Sequence, residues 1–327
     1  MAQLYPIKCK PIYKQTPWGG SQIASVFNRT DVPSRCGESW EISALQDSVS
    51  VIENGFLAGN TLQEVIEVYM DEIVGQHVYE KFGIEFPLLC KFIDSHDYLS
   101  VQVHPDNELA KERHTSYGKT EMWYVIKAEE DAQLILGFDR DMSRDEFIAL
   151  VQDSKQLVNS LSYHAVQQGE VFYVPAGLVH AIGQGVLLAE IQQTSDVTYR
   201  MYDWDRKDAE GNERELHLDM AVDAIDYSLA KQTPIVYESY TLGEQKLVES
   251  DFFVISLLHI HAEFSKDYYP LDSCVIYMCV EGTGTIRYGE GETETISQGE
   301  TVLLPAALRE ITIRAEHPLK ILEVYVP

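Results

Sequence analysis

The stretch that most limits what this chain can become is SVQVHPDNELAKERHTSYGKTEMWY, residues 100–124. Its start alternates, with Leu99, Val101 and Val103 apolar and Ser100, Gln102 and His104 between them. Strand side chains point to opposite faces in turn, so an apolar face against a core leaves Gln102 and His104 projecting together from the other. Pro105, Asp106 and Asn107 end the strand, since proline lacks the ladder donor and Asp and Asn favour turns. After a polar excursion, Gly118 and Lys119 lead into a second expected strand over residues 121–127, where Glu121, Trp123 and Val125 share a face. If the two strands pair in one sheet, Gln102, His104 and Glu121 converge. A neutral imidazole, a carboxylate and an amide oxygen suit a borderline divalent ion such as zinc. The stretch GEVFYVPAGLVHAIG, residues 169–183, adds His180 after a short strand and a Pro-Ala-Gly turn. Gln102, His104, Glu121 and His180 are thus the candidate ligands of a metal whose open positions polarise a substrate oxygen.

Composition narrows the partners. A net charge of −27 on 327 residues argues against nucleic acid and anionic membranes, and an anionic substrate needs local Lys and Arg to overcome that field. Cys9, Cys36, Cys90, Cys274 and Cys279 are scattered, with no CxxC, which suits reduced thiols rather than a disulfide framework. MAQLYPIKCKPIYK lacks the apolar core of a signal peptide, and no run is long enough to span a bilayer. A cytoplasmic globular protein is expected.

In chain order, residues 1–57 read as short strands and turns around Trp18-Gly19-Gly20, with Trp18 either lining a site or packing in a core or lid. Residues 60–75 read as one helix, opened by a Thr61–Glu64 capping box and striped by Leu62, Val65, Ile66, Tyr69, Met70 and Ile73. Lys91 stands inside the apolar run PLLCKFID, where a lysine is costly unless paired or used; it either reaches solvent at a strand edge or points into a cavity. Ser143 with Glu146 opens a second helix and residues 155–161 a third, a small helical insert at about residues 140–165. Arg200 follows a turn among Tyr199 and Tyr202, placed to stabilise oxyanion charge or to pair with Asp203 or Asp205. Residues 218–229 form a further amphipathic helix.

From about residue 245 the pattern is all strand, and it repeats the earlier one. Gly299-Glu300 and Pro305-Ala306 match Gly169-Glu170 and Pro175-Ala176 in register, with Glu310 at the place of His180 and Cys274 at that of Glu121. The pair His259 and His261 resembles a His-x-His metal pair, which offers a second metal site; the alternative is a degenerate barrel that kept the fold and lost its ligands. The expected division is a catalytic domain over residues 1–240 and a degenerate one over 241–327.

The motifs VQVHPD, GKTEMWYV, PAGLVHAIG and AEIQQTSDVTYR, in this order, resemble the type I phosphomannose isomerases of the cupin superfamily, in their short bacterial form. The resemblance covers nearly the whole chain. It implies a mainly-β fold of two cupin-type (jelly-roll) barrels with a small helical insert. It also implies a zinc-dependent isomerase interconverting D-mannose 6-phosphate and D-fructose 6-phosphate through an enediol(ate). On the family pattern His104, Glu121, His180 and Gln102 hold Zn2+, Gln102 being the least essential, and Arg200 is the active-site arginine. Lys91 and Lys119 match positions of a base and a phosphate contact, with either assignment open. The partner is a hexose 6-phosphate, and the chain is a monomer or homodimer. Two other readings use the same residues: a cupin iron oxygenase with His104, Glu121 and His180 as its triad, and a sugar-phosphate sensor without turnover.

Overall fold

A computed structural model describes residues 3–151, 154–208, 210–229 and 232–327. Two compact units share the chain. One comprises Tyr13–Glu38 and Phe92–Ile235, the other Met1–Ile12, Ser39–Lys91 and Val236–Pro327. Compactness therefore groups two N-terminal segments with the C-terminal strands, whereas the expected boundary at 240/241 follows sequence order.

The first unit is a two-layer β structure. One sheet has the strand order Leu161–Ala165, Gln133–Phe138, His180–Ile182, Val101–Val103, Tyr199–Tyr202. The other includes Val171–Val174, Glu121–Ala128 and Val186–Gln193, in that order. Trp123, Val125, Val174 and Leu188 of the second sheet pack with Leu134, Leu136 and Ile182 of the first. The opposite face of the first sheet, with Val101, Val103, Ile135, Ala181 and Tyr199, is covered by the helices Arg144–Leu150 and Leu218–Ala224. Apolar residues on both faces of the first sheet explain why its strands lack clean alternation.

The second unit repeats the plan. Its first sheet has the order Ile7–Lys8, Thr301–Leu304, Val275–Glu281, Leu319–Tyr325, Val254–Ile260, Gly243–Glu249, and its second Glu263–Asp267, Glu310–Ala315, Thr283–Tyr288, Glu292–Ser297. Leu258, Tyr277, Val302 and Ile321 meet Ile286, Ile311 and Ile313 between them. The mainly-β, two-cupin architecture is as expected, but each cupin is a pair of separately hydrogen-bonded sheets and not a closed barrel. The repeat also shifts by one residue. Glu121 lies opposite Val174, and Val275, not Cys274, lies opposite the matching Leu304.

Several helices differ from their expected bounds. The capping box of Thr61 and Glu64 is formed, but the helix it opens covers only Leu62–Tyr69. Met70 takes a positive φ of 49°, and short helices follow at Asp71–Val74 and Gln76–Phe82. Continued straight, the stripe would bury Met70, which is 45% exposed; the break turns Ile73 and Val74 inward instead. In the insert, Leu161 begins a strand and does not end a helix, and the helices are Arg144–Leu150 and Ser154–Asn159. The last expected helix stops at Ala224. The polar excursion after His104 holds an unexpected helix, Asn107–His114, capped by the Asp106 side chain. Ala110 is its one buried residue, so periodicity had nothing to reveal it. No helix among the described residues is long and apolar enough to cross a membrane.

Candidate metal centre

Four strand ends and two turns build the site. His180 lies opposite Gln102, and Gln102 opposite Arg200, across three neighbouring strands. Directly opposed residues share a face, so the three form one row on the inner side of the first sheet. Glu121 begins a strand of the other sheet. Gln102 and His104 therefore meet Glu121 across the sandwich, not along one sheet as the sequence suggested.

Local hydrogen bonds tie the motifs together. Gly177, at φ 86°, donates its N–H to the His104 carbonyl at 2.9 Å, fixing the Pro-Ala-Gly turn against the His104 segment. The Ala176 N–H reaches Thr120 Oγ1 at 3.3 Å, and the Thr120 N–H reaches Gln193 Oε1 at 3.0 Å. A Cβ on Gly118 would come within 2.7 Å of the Asn107 nitrogen; glycine here lets the segment before Lys119 lie against the helix start.

Ligand atoms of His104, Glu121 and His180, all three buried, lie within 4.8 Å of one another. His104 Nδ1 is 2.9 Å from the Val197 carbonyl oxygen, and His180 Nδ1 is 2.9 Å from that of Leu178. Carbonyl oxygens only accept, so each Nδ1 carries the proton and each Nε2 presents a lone pair. Both lone pairs point at a carboxylate: His104 Nε2 is 3.1 Å from Glu121 Oε1, and His180 Nε2 is 4.0 Å from Oε2. Burial, then the Lys119 ammonium, pushes the His104 imidazole down to about 3, and burial lowers His180 as well. For Glu121 burial acts upward, but Lys119 and the two imidazoles outweigh it and hold the carboxyl well below its ordinary value. Two neutral imidazoles and a carboxylate with their lone pairs converging are a donor set that calls for a cation. These residues fit a divalent metal.

Lys119 is the nearest cation, with Nζ 2.6 Å from Glu121 Oε1 and 3.3 Å from His104 Nε2. The Gln102 side-chain nitrogen lies 3.3 Å from His180 Nε2. Because that contact is to a lone pair, the amide faces the imidazole as a donor, and its oxygen lies 3.4 Å from Ser100 Oγ. Arg200 is half-buried; its Nη1 donates to the Glu215 carbonyl at 2.9 Å, and its Nε is buried without a hydrogen bond. No ion pair joins it to Asp203 or Asp205, and Asp203 instead holds Arg214 and Arg206. Lys91 belongs to the other unit, where it is buried with Nζ 5.3 Å from the centroid of the Trp40 ring. Trp18 is buried in the core of the first unit beside Trp123.

Sequence reasoning missed one part. The Trp123 indole N–H is 3.0 Å from Glu121 Oε2 and also 3.0 Å from Glu190 Oε2. Glu190 lies directly opposite Trp123 on the neighbouring strand. The available signal was the shared face of Glu121 and Trp123 together with a lone acid in the apolar strand VLLAEIQQ.

Fold and site together define a two-cupin protein with, among the described residues, one buried His-Glu-His metal-type centre. Residues 4–154 match the family model of the phosphomannose isomerase type I catalytic domain, and residues 243–325 that of the mannose-6-phosphate isomerase cupin domain. The chain is 35% identical to mannose-6-phosphate isomerase ManA of Bacillus subtilis, over 94% of this chain and 95% of that one. It is 37% identical to mannose-6-phosphate isomerase of Streptococcus mutans, over 89% and 90%. The crystal structure of the mannose 6-phosphate isomerase from Bacillus subtilis superposes with a TM-score of 0.85 at 30% identity, covering 98% of this chain and 99% of that one. The chain belongs to the type I phosphomannose isomerases and is an enzyme of that family.

Proposed function

We propose that the enzyme interconverts D-mannose 6-phosphate and D-fructose 6-phosphate, and that its metal is zinc held by His104, Glu121 and His180 with Gln102 beside them. The observation that carries the reading is the convergence of two neutral imidazoles, a carboxylate and Lys119 in a chain of this family. Bound zinc supplies Lewis acidity toward the sugar oxygens. Lys119, which must act here as the neutral amine, takes the proton from C2. The C2–H electron pair becomes the C1–C2 double bond, and the carbonyl pair moves onto O1. Return of a proton to C1, with transfer of the O2 proton to O1, gives the ketose. Arg200, on the row of His180 and Gln102, steadies the negative charge of the enediolate. Lys91 is the other candidate base. Residues 1–240 carry these groups, and 241–327 is the degenerate cupin.

A reducing, cytoplasmic setting accords with five free, buried cysteines. The test is incubation of zinc-loaded protein with mannose 6-phosphate and detection of fructose 6-phosphate. Formation of the ketose phosphate is expected; tight binding with no turnover would overturn the proposal in favour of a sensor.

A further inference from the structure

We infer that the second unit carries a separate divalent-metal site, formed by His259 and His261 and suited to borderline ions such as copper(II), nickel(II) or zinc. His259 lies in strand Val254–Ile260 and His261 just beyond its end, with the two ring centroids 4.9 Å apart. Their Nε2 atoms are 3.2 Å apart. Two nitrogens at roughly 2.0–2.1 Å from one tetrahedral zinc stand about 3.3 Å apart, so the rings already hold the bite of a shared ion.

The surroundings favour a ligand pair over a packed core. Leu258 and Ile260 point into the apolar core between the sheets, which leaves His259 on the outer face. His261 is solvent-exposed, which opens the pair to an incoming ion. On one flank His259 faces Gly243, where a Cβ would meet nothing within 4 Å, so there is room for waters to complete the coordination. Its Nδ1 is buried against the Thr241 main chain, short of a well-formed hydrogen bond. On the other flank it faces Lys320, whose ammonium would oppose a cation. The Glu281 carboxylate sits 2.8 Å from that ammonium and offsets its charge.

This site is distinct from the His104–Glu121–His180 centre, all of whose ligands belong to the first unit. With two imidazoles and no carboxylate ligand it should bind weakly and follow the order in which copper exceeds nickel and zinc.

The test uses the full chain with its first centre saturated with zinc. One equivalent of copper(II) is added, the nitrogen coupling is read by electron paramagnetic resonance, and retained zinc is measured by mass spectrometry. Expected is one copper with two equatorial nitrogens, zinc retained, and an affinity at least about tenfold lower after His259→Asn with His261→Asn. His261→Asn alone, at an exposed position, should show the same loss if the double variant does not fold. Three results would overturn the inference: no copper bound by the wild type, unchanged affinity in the variants, or release of zinc as copper enters.

Discussion

Replacing Trp123 with Phe isolates the part of the centre that the sequence did not announce. The ring is almost wholly buried, so Phe keeps most of the packing and removes the indole N–H. That N–H is shared, 3.0 Å from a carboxylate oxygen of Glu121 and 3.0 Å from one of Glu190. A hydrogen bond to a charged group contributes roughly 1.5–3 kcal/mol, so losing this one shared donor costs about that much. Packing loss from the smaller ring adds to this. Glu121 is also left without the donor that orients it, and loss of such an outer contact typically lowers metal affinity by about 10–100-fold. The assays are urea denaturation of the metal-free protein and zinc competition against a chromophoric chelator. A cost below about 1 kcal/mol with unchanged zinc affinity would refute the role given to the indole.

Three further outcomes follow. Lys119→Met should cut turnover by roughly 10²–10⁴ with substrate still bound, whereas a phosphate contact would chiefly raise KM; the reverse pattern, with Lys91→Met losing turnover, would move the base to Lys91. Arg200→Ala should lower kcat by about 10²–10³, and near-normal turnover with zinc intact would remove it from the mechanism. In metal-stripped protein, stability should fall as pH drops from about 6.5 toward 3. The unfolded chain takes up protons that His104 refuses in the fold, at roughly 1.4 kcal/mol per pH unit, and His180 adds in the same direction. Glu121, held below its ordinary value, acts in the same direction at lower pH. A urea midpoint that stays flat between pH 7 and pH 5 would contradict this.

Much of the centre was legible because its ligands sit in strongly punctuated segments. The alternation of Val101, Gln102 and Val103, the proline after His104, and the turn before His180 each have a local cause. What was not legible depends on pairing between distant strands. That Glu121 meets His104 across two sheets, and that Glu190 lies opposite Trp123, follow from register, which no local pattern encodes. The helix Asn107–His114 was invisible because it buries almost nothing. Met70 was misread because a helical stripe in sequence carries on where the chain itself breaks to aim Ile73 and Val74 at the core. The one-residue shift of Cys274 against Val275 shows the same limit within the repeat.

The central claim is that a metal at His104, Glu121 and His180 makes this fold a mannose 6-phosphate isomerase. The most direct measurement couples fructose 6-phosphate formation to metal content in one preparation, first as isolated, then after chelation, then with zinc restored. Turnover that disappears with the chelator and returns in proportion to one equivalent of zinc, and that does neither in Glu121→Ala, is the predicted result. Turnover that persists in metal-free protein, or in Glu121→Ala, would contradict the account.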